Sequence, residues 1–253
     1  MCFNANTSLF TFAISLVCFC YLLNRGINTD NKNDIFLSVL TILIGMMQLV
    51  EFFLWRNQTC NRTNHYLSLF IILSLFLQGT ISNICYFKLY PDASIISNQF
   101  ANATIFVYLM VVMYTLFHLN TYELCSKPSK HSCRLVWDSI AKLNYPENYL
   151  LYMLNFSLFF SMFAMIAINS IYSKNDLLTK YPFRYSFIFL TFALSFMYVL
   201  ITTYYYKEIY AAVRHFNIPD LFKQMMFLGS SDVFGSVWCF LSVFVGVVGI
   251  FEI

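Results

Sequence analysis

The sequence predicts an all-α, polytopic membrane protein, a bundle of seven transmembrane helices in a single domain spanning residues 1–253. Of the 253 residues, 59% are hydrophobic and only 11% are charged, far outside the usage of a soluble domain. Apolar runs recur at the length of about 20 residues that a helix needs to cross a bilayer. No run alternates with period two, so a β-barrel is not expected.

The predicted spans follow one another along the chain without a linker. Backbone groups in lipid must be hydrogen-bonded within their own segment, so each apolar run is predicted to be helical. The first run does not resemble a cleavable signal peptide, because Asn24-Arg25-Gly26 follows it instead of a small-x-small site. The seven spans are residues 7–23, 35–55, 66–86, 100–119, 149–171, 185–206 and 233–253.

The connector of residues 133–144 has a helical pattern of its own. Charged residues form one stripe and apolar residues another, which is typical of a short helix lying in the membrane interface. Pro128 and Pro146 would bound this helix. We expect it to anchor the chain rather than to act. The charged stripe is Arg134, Asp138 and Lys142, and the apolar stripe is Val136, Ile140 and Leu143.

The orientation signals conflict. We call the side of the N-terminus side N. The total of Lys and Arg residues weakly favours side N as cytosolic, whereas the first helix favours the reverse, because Arg25 and Lys32 follow it and nothing basic precedes it. We expect the N-terminus to be outside or lumenal.

Two sequence features of the side N loops would agree with that orientation. Asn57 and Asn61 begin Asn-x-Thr sequences, which accept glycans only in an external loop and would make the chain a glycoprotein. Cys60, Cys125 and Cys133 lie on the same predicted side, where an oxidising compartment would let them pair as disulfides.

Composition and spacing argue against several partners. The net charge of +3 is small and scattered, so no nucleic-acid partner is expected. Cys125, His131 and Cys133 share a loop but lack a Cys-x-x-Cys spacing, so neither a metal site nor a cofactor is predicted. The last span contains no lysine for a retinal Schiff base. The expected partner is the lipid bilayer, and the oligomeric state stays open.

Polar and small residues form one stripe on each of three helices. Small residues let helix backbones approach closely in lipid, so the stripes predict tight helix packing. The first stripe is Asn4, Ser8, Thr11, Ser15 and Cys18; the second is Ser38, Thr41, Gly45, Gln48 and Trp55; the last is Gly235, Cys239, Ser242, Gly246 and Gly249.

Gln48 and Glu51 are less easily explained by packing. A charge at the centre of a membrane helix costs roughly 2.5–3.5 kcal/mol on insertion scales. Glu51 lies four residues from Trp55, about 6 Å along the axis, so it could also simply reach water at the interface. The functional interpretation is a proton acceptor, a cation ligand or a partner for a basic substrate group.

Connectivity places the unusual residues at one membrane face. The first and last helices begin on side N and the second ends there, so their side N ends could form one pocket. The predicted ligand-binding residues are Asn4, Gln48, Glu51, Trp55, Ser236, Trp238 and Cys239. His118 ends the fourth span on the same face, although a histidine at a helix end is more often a solvated or packing residue.

Cys2 offers a second kind of chemistry. Removal of Met1 would leave a free amine beside a thiol, a pair that can act as a nucleophile or chelate a metal. A buried or acylated cysteine is the plainer interpretation. The catalytic candidates are therefore Cys2, Glu51 and His118.

Three segments resemble an uncharacterised family of polytopic membrane proteins from bacteria and large DNA viruses. They are Met1-Cys2-Phe3-Asn4-Ala5, the Gln-x-x-Glu-x-x-x-Trp motif of residues 48–55, and the Ser-x-Trp-Cys-Phe motif of residues 236–240. The chain departs from the family in Asn4, which is usually Ser, and in Phe52, which is commonly Gly. The resemblance implies no established activity; a viral member would occupy a host membrane.

Three functional hypotheses follow. The leading one is a multi-pass membrane protein with a polar pocket at the side N face that binds or passes a small solute or cation. One alternative is a membrane-embedded enzyme that uses Cys2 with Glu51 or His118 as its base. The other is a structural or assembly protein whose stripes only pack helices.

Overall fold

The computed structural model describes residues 4–91, 96–128, 135–143, 145–172 and 234–251, and this part of the chain is mostly helical. A two-stranded antiparallel ribbon pairs β1 (Lys127–Pro128) with β2 (Leu135–Val136), and a 3-10 turn covers Pro146–Asn148. The helices are α1 (Ala5–Asn28), α2 (Lys32–Arg56), α3 (Arg62–Leu89), α4 (Asn98–Leu119), α5 (Asp138–Leu143), α6 (Tyr149–Tyr172) and α7 (Phe234–Phe251).

Five of the described helices, α1 to α4 and α6, are long and apolar enough to cross a membrane. The helical fold class is thereby confirmed, and these helices indicate a membrane-embedded protein. The 18-residue α7 coincides with the last predicted span. The predicted span of residues 185–206 lies outside the described residues, so the count of seven stays a prediction.

Polar caps explain why several helices begin before their predicted apolar runs. The Oδ1 atoms of Asn4, Asn31 and Asn61 accept hydrogen bonds from the backbone N–H groups of Thr7, Asn33 and Asn64, at the starts of α1, α2 and α3. Such caps satisfy N–H groups that have no partner inside the helix. The helix starts are set by these caps, two to four residues ahead of the hydrophobic stretch.

The small-residue stripes are packing seams between α1, α2 and α7. A Cβ atom on Gly45 would lie 2.5 Å from Ser15 Cβ, and one on Gly246 would lie 2.6 Å from Thr41 Cγ2. Neither glycine can gain a side chain without separating the helices. The prediction that these stripes pack helices is confirmed at these positions.

An arginine fastens the same three helices at the face opposite side N. Arg25 forms a bidentate ion pair with Asp34 of α2, through Nε to Oδ2 at 2.5 Å and Nη2 to Oδ1 at 2.9 Å. Its guanidinium also donates to the backbone oxygens of Gly249 and Ile250 at 2.8 and 2.9 Å. A cation is favourable there, because carbonyl groups at a helix C-terminus carry partial negative charge.

The main apolar core lies around α3, which contacts α2, α4, α5 and α6. Phe76 is fully buried and meets Tyr108, Phe156 and Phe159 edge-on, with ring centroids 5.8–6.4 Å apart. The opposite face of α4 carries exposed large side chains that suit a lipid environment: Phe106, Met110, Met113 and Phe117.

The predicted interfacial helix of residues 133–144 is wrong in extent and position. Within it α5 begins only at Asp138, because Leu135–Val136 pairs as a strand with Lys127–Pro128. Leu135, Trp137 and Leu143 are fully buried. Because α5 contacts α3, α4 and α6, this segment packs across the side N end of the bundle instead of lying flat in the interface.

Candidate functional site

Four polar side chains form one hydrogen-bonded chain at the side N end of the bundle. Thr11 Oγ1 of α1 lies 2.9 Å from Gln48 Oε1 of α2, which shares the single hydroxyl proton with the backbone oxygens of Thr7 and Ser8, each 3.0 Å away. Gln48 Nε2 donates to Glu51 Oε2 at 3.2 Å, and the indole Nε1 of Trp137 donates to Glu51 Oε1 at 2.9 Å. This series of hydrogen bonds therefore runs from α1 through α2 to the segment of Trp137. Because that segment packs across the side N end of the bundle, we call it the closing segment.

Every donor in this chain points towards the carboxylate. The Thr11 hydroxyl turns the oxygen of the Gln48 amide away from Glu51, which leaves the amide N–H groups to face it. An ionised carboxylate only accepts hydrogen bonds, and each oxygen of Glu51 faces a donor, Gln48 Nε2 or Trp137 Nε1. The arrangement stabilises a negative charge at Glu51.

The site is buried. Thr11, Gln48 and Trp137 are at most 1% exposed and Glu51 is 3% exposed, so the carboxylate is largely shielded from solvent. Glu51 lies five residues before the end of α2 at Arg56, about 8 Å along the helix axis. These hydrogen bonds hold a carboxylate inside the bundle, where the loss of hydration makes a charge energetically costly.

Ser8 of α1 adds a hydroxyl at the same height along the bundle as Glu51. Ser15 packs on Gly45 and Thr11 bonds to Gln48, so the antiparallel register of α1 and α2 brings Ser8 opposite Glu51. Ser8 is 1% exposed, and its Oγ has no hydrogen-bond partner. A buried polar atom without a partner costs free energy that a bound water or ligand would recover.

The other predicted ligand-binding residues are placed differently. Asn4 is exposed, and its Oδ1 accepts from Thr7 N at 3.1 Å as the cap of α1. Trp55 is partly buried against the main apolar core. The backbone of α7 includes Ser236, Trp238 and Cys239, whose side chains lie outside the described part of the structure, as does Cys2.

Trp137 is the site residue that sequence reasoning missed. Its position in a connector suggested an anchoring role, yet its indole donates directly to Glu51. A signal was present, because Trp137 lies three residues before Ile140 and so continues the apolar stripe of that segment. The sequence pattern gives no sign of the β1–β2 ribbon, which directs the apolar side chains of this segment towards the inside of the bundle.

Two connections hold the closing segment on the α2–α3 loop. A disulfide joins Cys60 to Cys125. The buried Asn64 side chain accepts from Ser126 N at 2.8 Å and donates to the backbone oxygens of Ser126 and Asn57 at 3.0 and 2.7 Å. The side N loops thus form one cross-linked unit.

The predicted glycosylation positions lie in this unit, in residues 57–61. The Asn57 and Asn61 amides bond to each other, with Asn57 Nδ2 donating to Asn61 Oδ1 at 2.9 Å. Thr59 Oγ1 donates to Asn57 Oδ1 at 2.9 Å. Glycan attachment at either position would have to break this set of hydrogen bonds.

His118 belongs to a separate cluster. The two N–H groups of the Asn148 amide donate to Tyr122 Oη and Lys142 O, at 3.1 and 2.9 Å. The Asn148 oxygen therefore faces His118 Nε2 at 2.7 Å, so this ring nitrogen carries the proton and donates. The pair ties the end of α4 to the turn before α6.

A lysine lies beside the same cluster. Lys142 Nζ donates to Tyr145 Oη at 3.3 Å and lies 4.8 Å from the centre of that ring. This hydrogen bond is the main reason that the pKa of Lys142 is raised, with smaller contributions from the charge of Asp138 and from nearby tyrosines. Lys142 therefore stays protonated at physiological pH.

Comparison of the chain with protein families, with curated proteins and with solved structures finds no match. Among the described residues, no three His, Cys, Asp or Glu side chains come together as metal ligands. The chemistry of the site has to be inferred from the chain itself.

Proposed function

We propose that the chain is a multi-pass membrane protein that binds or passes a small solute or cation at Glu51, near the side N face. The observation that carries the proposal is a carboxylate 3% exposed inside the bundle, held by Trp137 and Gln48. A charge in this position is costly, so a functional role for it is favoured.

The composition of the site favours a small positively charged or hydrogen-bonding ligand. Glu51 supplies negative charge and oxygen atoms, which small hard cations prefer as ligands, beside the Gln48 amide and the Trp137 indole. The Ser8 hydroxyl at the same level supplies a further polar contact. Anions would be repelled, and a large ligand would not fit among the closely packed α1 and α2 backbones.

We also propose that side N is outside or lumenal. The Cys60–Cys125 disulfide supports this orientation, because disulfides persist in oxidising compartments and are rare in the cytosol. Right-side-out vesicles treated with a membrane-impermeant reductant should release both thiols to an impermeant maleimide. Release only in inverted vesicles would reverse the orientation.

A structural or assembly role is the alternative that a specific observation favours. The seams at Gly45 and Gly246 account for the small-residue stripes without any ligand. On this alternative, the bond of Glu51 to Trp137 only fastens the segment before α5 to α2, and neutralising Glu51 would alter stability alone.

The enzyme alternative rests on the His118–Asn148 pair, because an amide oxygen that fixes an imidazole is a known way of orienting a general base. Its proposed nucleophile, Cys2, lies outside the described residues. Mass spectrometry that finds Met1 retained would remove this alternative.

The test compares Glu51→Gln with Glu123→Gln, a matched change at an exposed glutamate of a side N loop. Both variants and the wild type are reconstituted in liposomes, and binding and uptake of Na⁺, K⁺, H⁺ and methylammonium are measured. We expect Glu51→Gln to abolish the binding or flux seen in the wild type, while Glu123→Gln leaves it unchanged.

Two outcomes would contradict the proposal. Unchanged binding and flux in Glu51→Gln would show that the solute does not use this carboxylate. Absence of binding and flux in the wild type, together with a loss of stability in Glu51→Gln, would favour the structural role.

A further inference from the structure

We propose that Trp137 is a latch that closes the side N entrance to Glu51, on a lid that the Cys60–Cys125 disulfide and Asn64 hold in place. The lid comprises the described segments Leu124–Pro128 and Leu135–Leu143. The inference rests on the proposed function for its purpose, but the closure itself is tested separately below.

The fit of the lid on the bundle is the first argument. Leu135, Trp137 and Leu143 are fully buried, and they belong to the same apolar cluster as Leu54 in the last turn of α2. The ribbon contacts α2, while α5 contacts α3, α4 and α6. The lid therefore spans the ends of several helices and covers Glu51 from side N.

The anchoring of the lid is the second argument. Besides the disulfide and Asn64, Ser126 Oγ lies 2.7 Å from Ser68 Oγ of α3 and accepts from Asp138 N at 3.1 Å. Asp138 Oδ2 in turn accepts from Cys125 N at 2.8 Å. These bonds fix the base of the lid at Cys125 and Ser126, and through Asp138 they also hold the neighbouring Trp137 in place.

The latch is the contact between Trp137 of the lid and the charge of the site. Within the described residues, the hydrogen bond from Trp137 Nε1 to Glu51 Oε1 is the contact that joins the lid to a charged group of α2. We expect a cation bound at Glu51 Oε1 to withdraw negative charge from this oxygen and so to weaken its hydrogen bond with the indole N–H. Ligand binding and opening of the lid are therefore coupled at one atom.

The test measures water access to the site with a reporter thiol. Gln48→Cys places the thiol beside Glu51, and its reaction with a cationic, membrane-impermeant methanethiosulfonate added to side N is followed by peptide mass spectrometry. The reporter is combined with Trp137→Ala, with Cys60→Ala/Cys125→Ala, and with Leu67→Ala as the control, because Leu67 is a partly buried apolar residue packed against the same core cluster. Gln58→Cys, in an exposed loop, gives the rate of an open site.

We expect the Gln48→Cys thiol to react far more slowly than the Gln58→Cys thiol while the lid is intact. Trp137→Ala should raise its rate about tenfold or more, the effect expected when one hydrogen bond to a charged group is lost. Removal of the disulfide should also raise the rate, and Leu67→Ala should leave it unchanged. Trp137→Phe keeps an aromatic ring at this position but removes the N–H donor. It controls for a folding defect and should give an intermediate rate.

The proposal is overturned if the intact protein reacts as fast at residue 48 as at residue 58. It is also overturned if neither Trp137→Ala nor loss of the disulfide changes the rate. Labelling reports access and not ligand binding, so a closed lid with no cation flux would refute the proposed function alone. Flux that depends on Glu51 with no effect of Trp137 would refute the latch alone.

Discussion

Replacing Arg25 by Met tests whether its guanidinium holds α7 to the α1–α2 hairpin. The change removes a bidentate ion pair with Asp34 and the two bonds to the backbone oxygens of Gly249 and Ile250. The side chains of Arg25 and Asp34 are 15% and 1% exposed, so solvent screens the pair only weakly.

The size of the effect follows from burial. Removing one partner of a buried ion pair costs about 3–5 kcal/mol, because a buried charge loses its counter-ion. The double variant Arg25→Met/Asp34→Asn carries no charge at either position. It loses mainly the two bonds to the α7 carbonyls, at about 1 kcal/mol each. Both variants lose the α7 bonds, and only Arg25→Met alone leaves the Asp34 charge buried without Arg25, so the double variant should be more stable by about 3–5 kcal/mol.

The assay is reversible unfolding by SDS in mixed micelles, followed by far-ultraviolet circular dichroism. Arg56→Met serves as the control, because Arg56 is exposed at the end of α2 and its loss should change the free energy of unfolding by less than about 0.5 kcal/mol. The reasoning is refuted if Arg25→Met behaves like Arg56→Met, or if the double variant is less stable than Arg25→Met.

Three further predictions use the same titration. Gly246→Ala should lower the free energy of unfolding by about 1–3 kcal/mol, because its Cβ would lie 2.6 Å from Thr41 Cγ2; no loss would mean that the seam is looser than described. Non-reducing peptide mapping should recover Cys60 linked to Cys125, and Cys60→Ala should cost about 2–4 kcal/mol; a free thiol at either position contradicts the cross-link. Asn64→Ala should cost about 3 kcal/mol for three bonds to backbone atoms, and Asn64→Asp should cost at least as much, because a carboxylate oxygen would then face the Asn57 and Ser126 carbonyl oxygens in a buried site; a smaller loss for Asn64→Asp would count against the described geometry.

The sequence predicted the parts of this structure that depend on local pattern. Apolar runs located α1 to α4, α6 and α7, because the length of an apolar segment and its hydrogen-bonding needs in lipid leave one conformation. The spacing of three between Gln48 and Glu51 placed them on one side of α2, and their side chains are hydrogen-bonded. Helix packing at Gly45 and Gly246 followed from residue size.

The remaining parts depend on contacts that are distant in sequence. Trp137 reaches Glu51 across 86 positions, and no periodicity within either segment carries that information. Asn4 seemed to belong with Gln48 by helix face, but a residue before the first helical turn is better used as a cap, and its side chain bonds to Thr7. Cys60 and Cys125 could be assigned to one side, whereas the choice of Cys125 over Cys133 required the fold.

The measurement that tests the central claim most directly is iodide quenching of Trp137 fluorescence in reconstituted protein. The variant Trp55→Phe/Trp238→Phe leaves Trp137 as the sole tryptophan of the three in the chain. We predict emission at a short wavelength that iodide quenches weakly, and an emission shift on Glu51→Gln, because the indole is buried and donates to that carboxylate. Strong quenching of Trp137 by iodide, with no response to Glu51→Gln, would contradict a closed polar site at this end of the bundle.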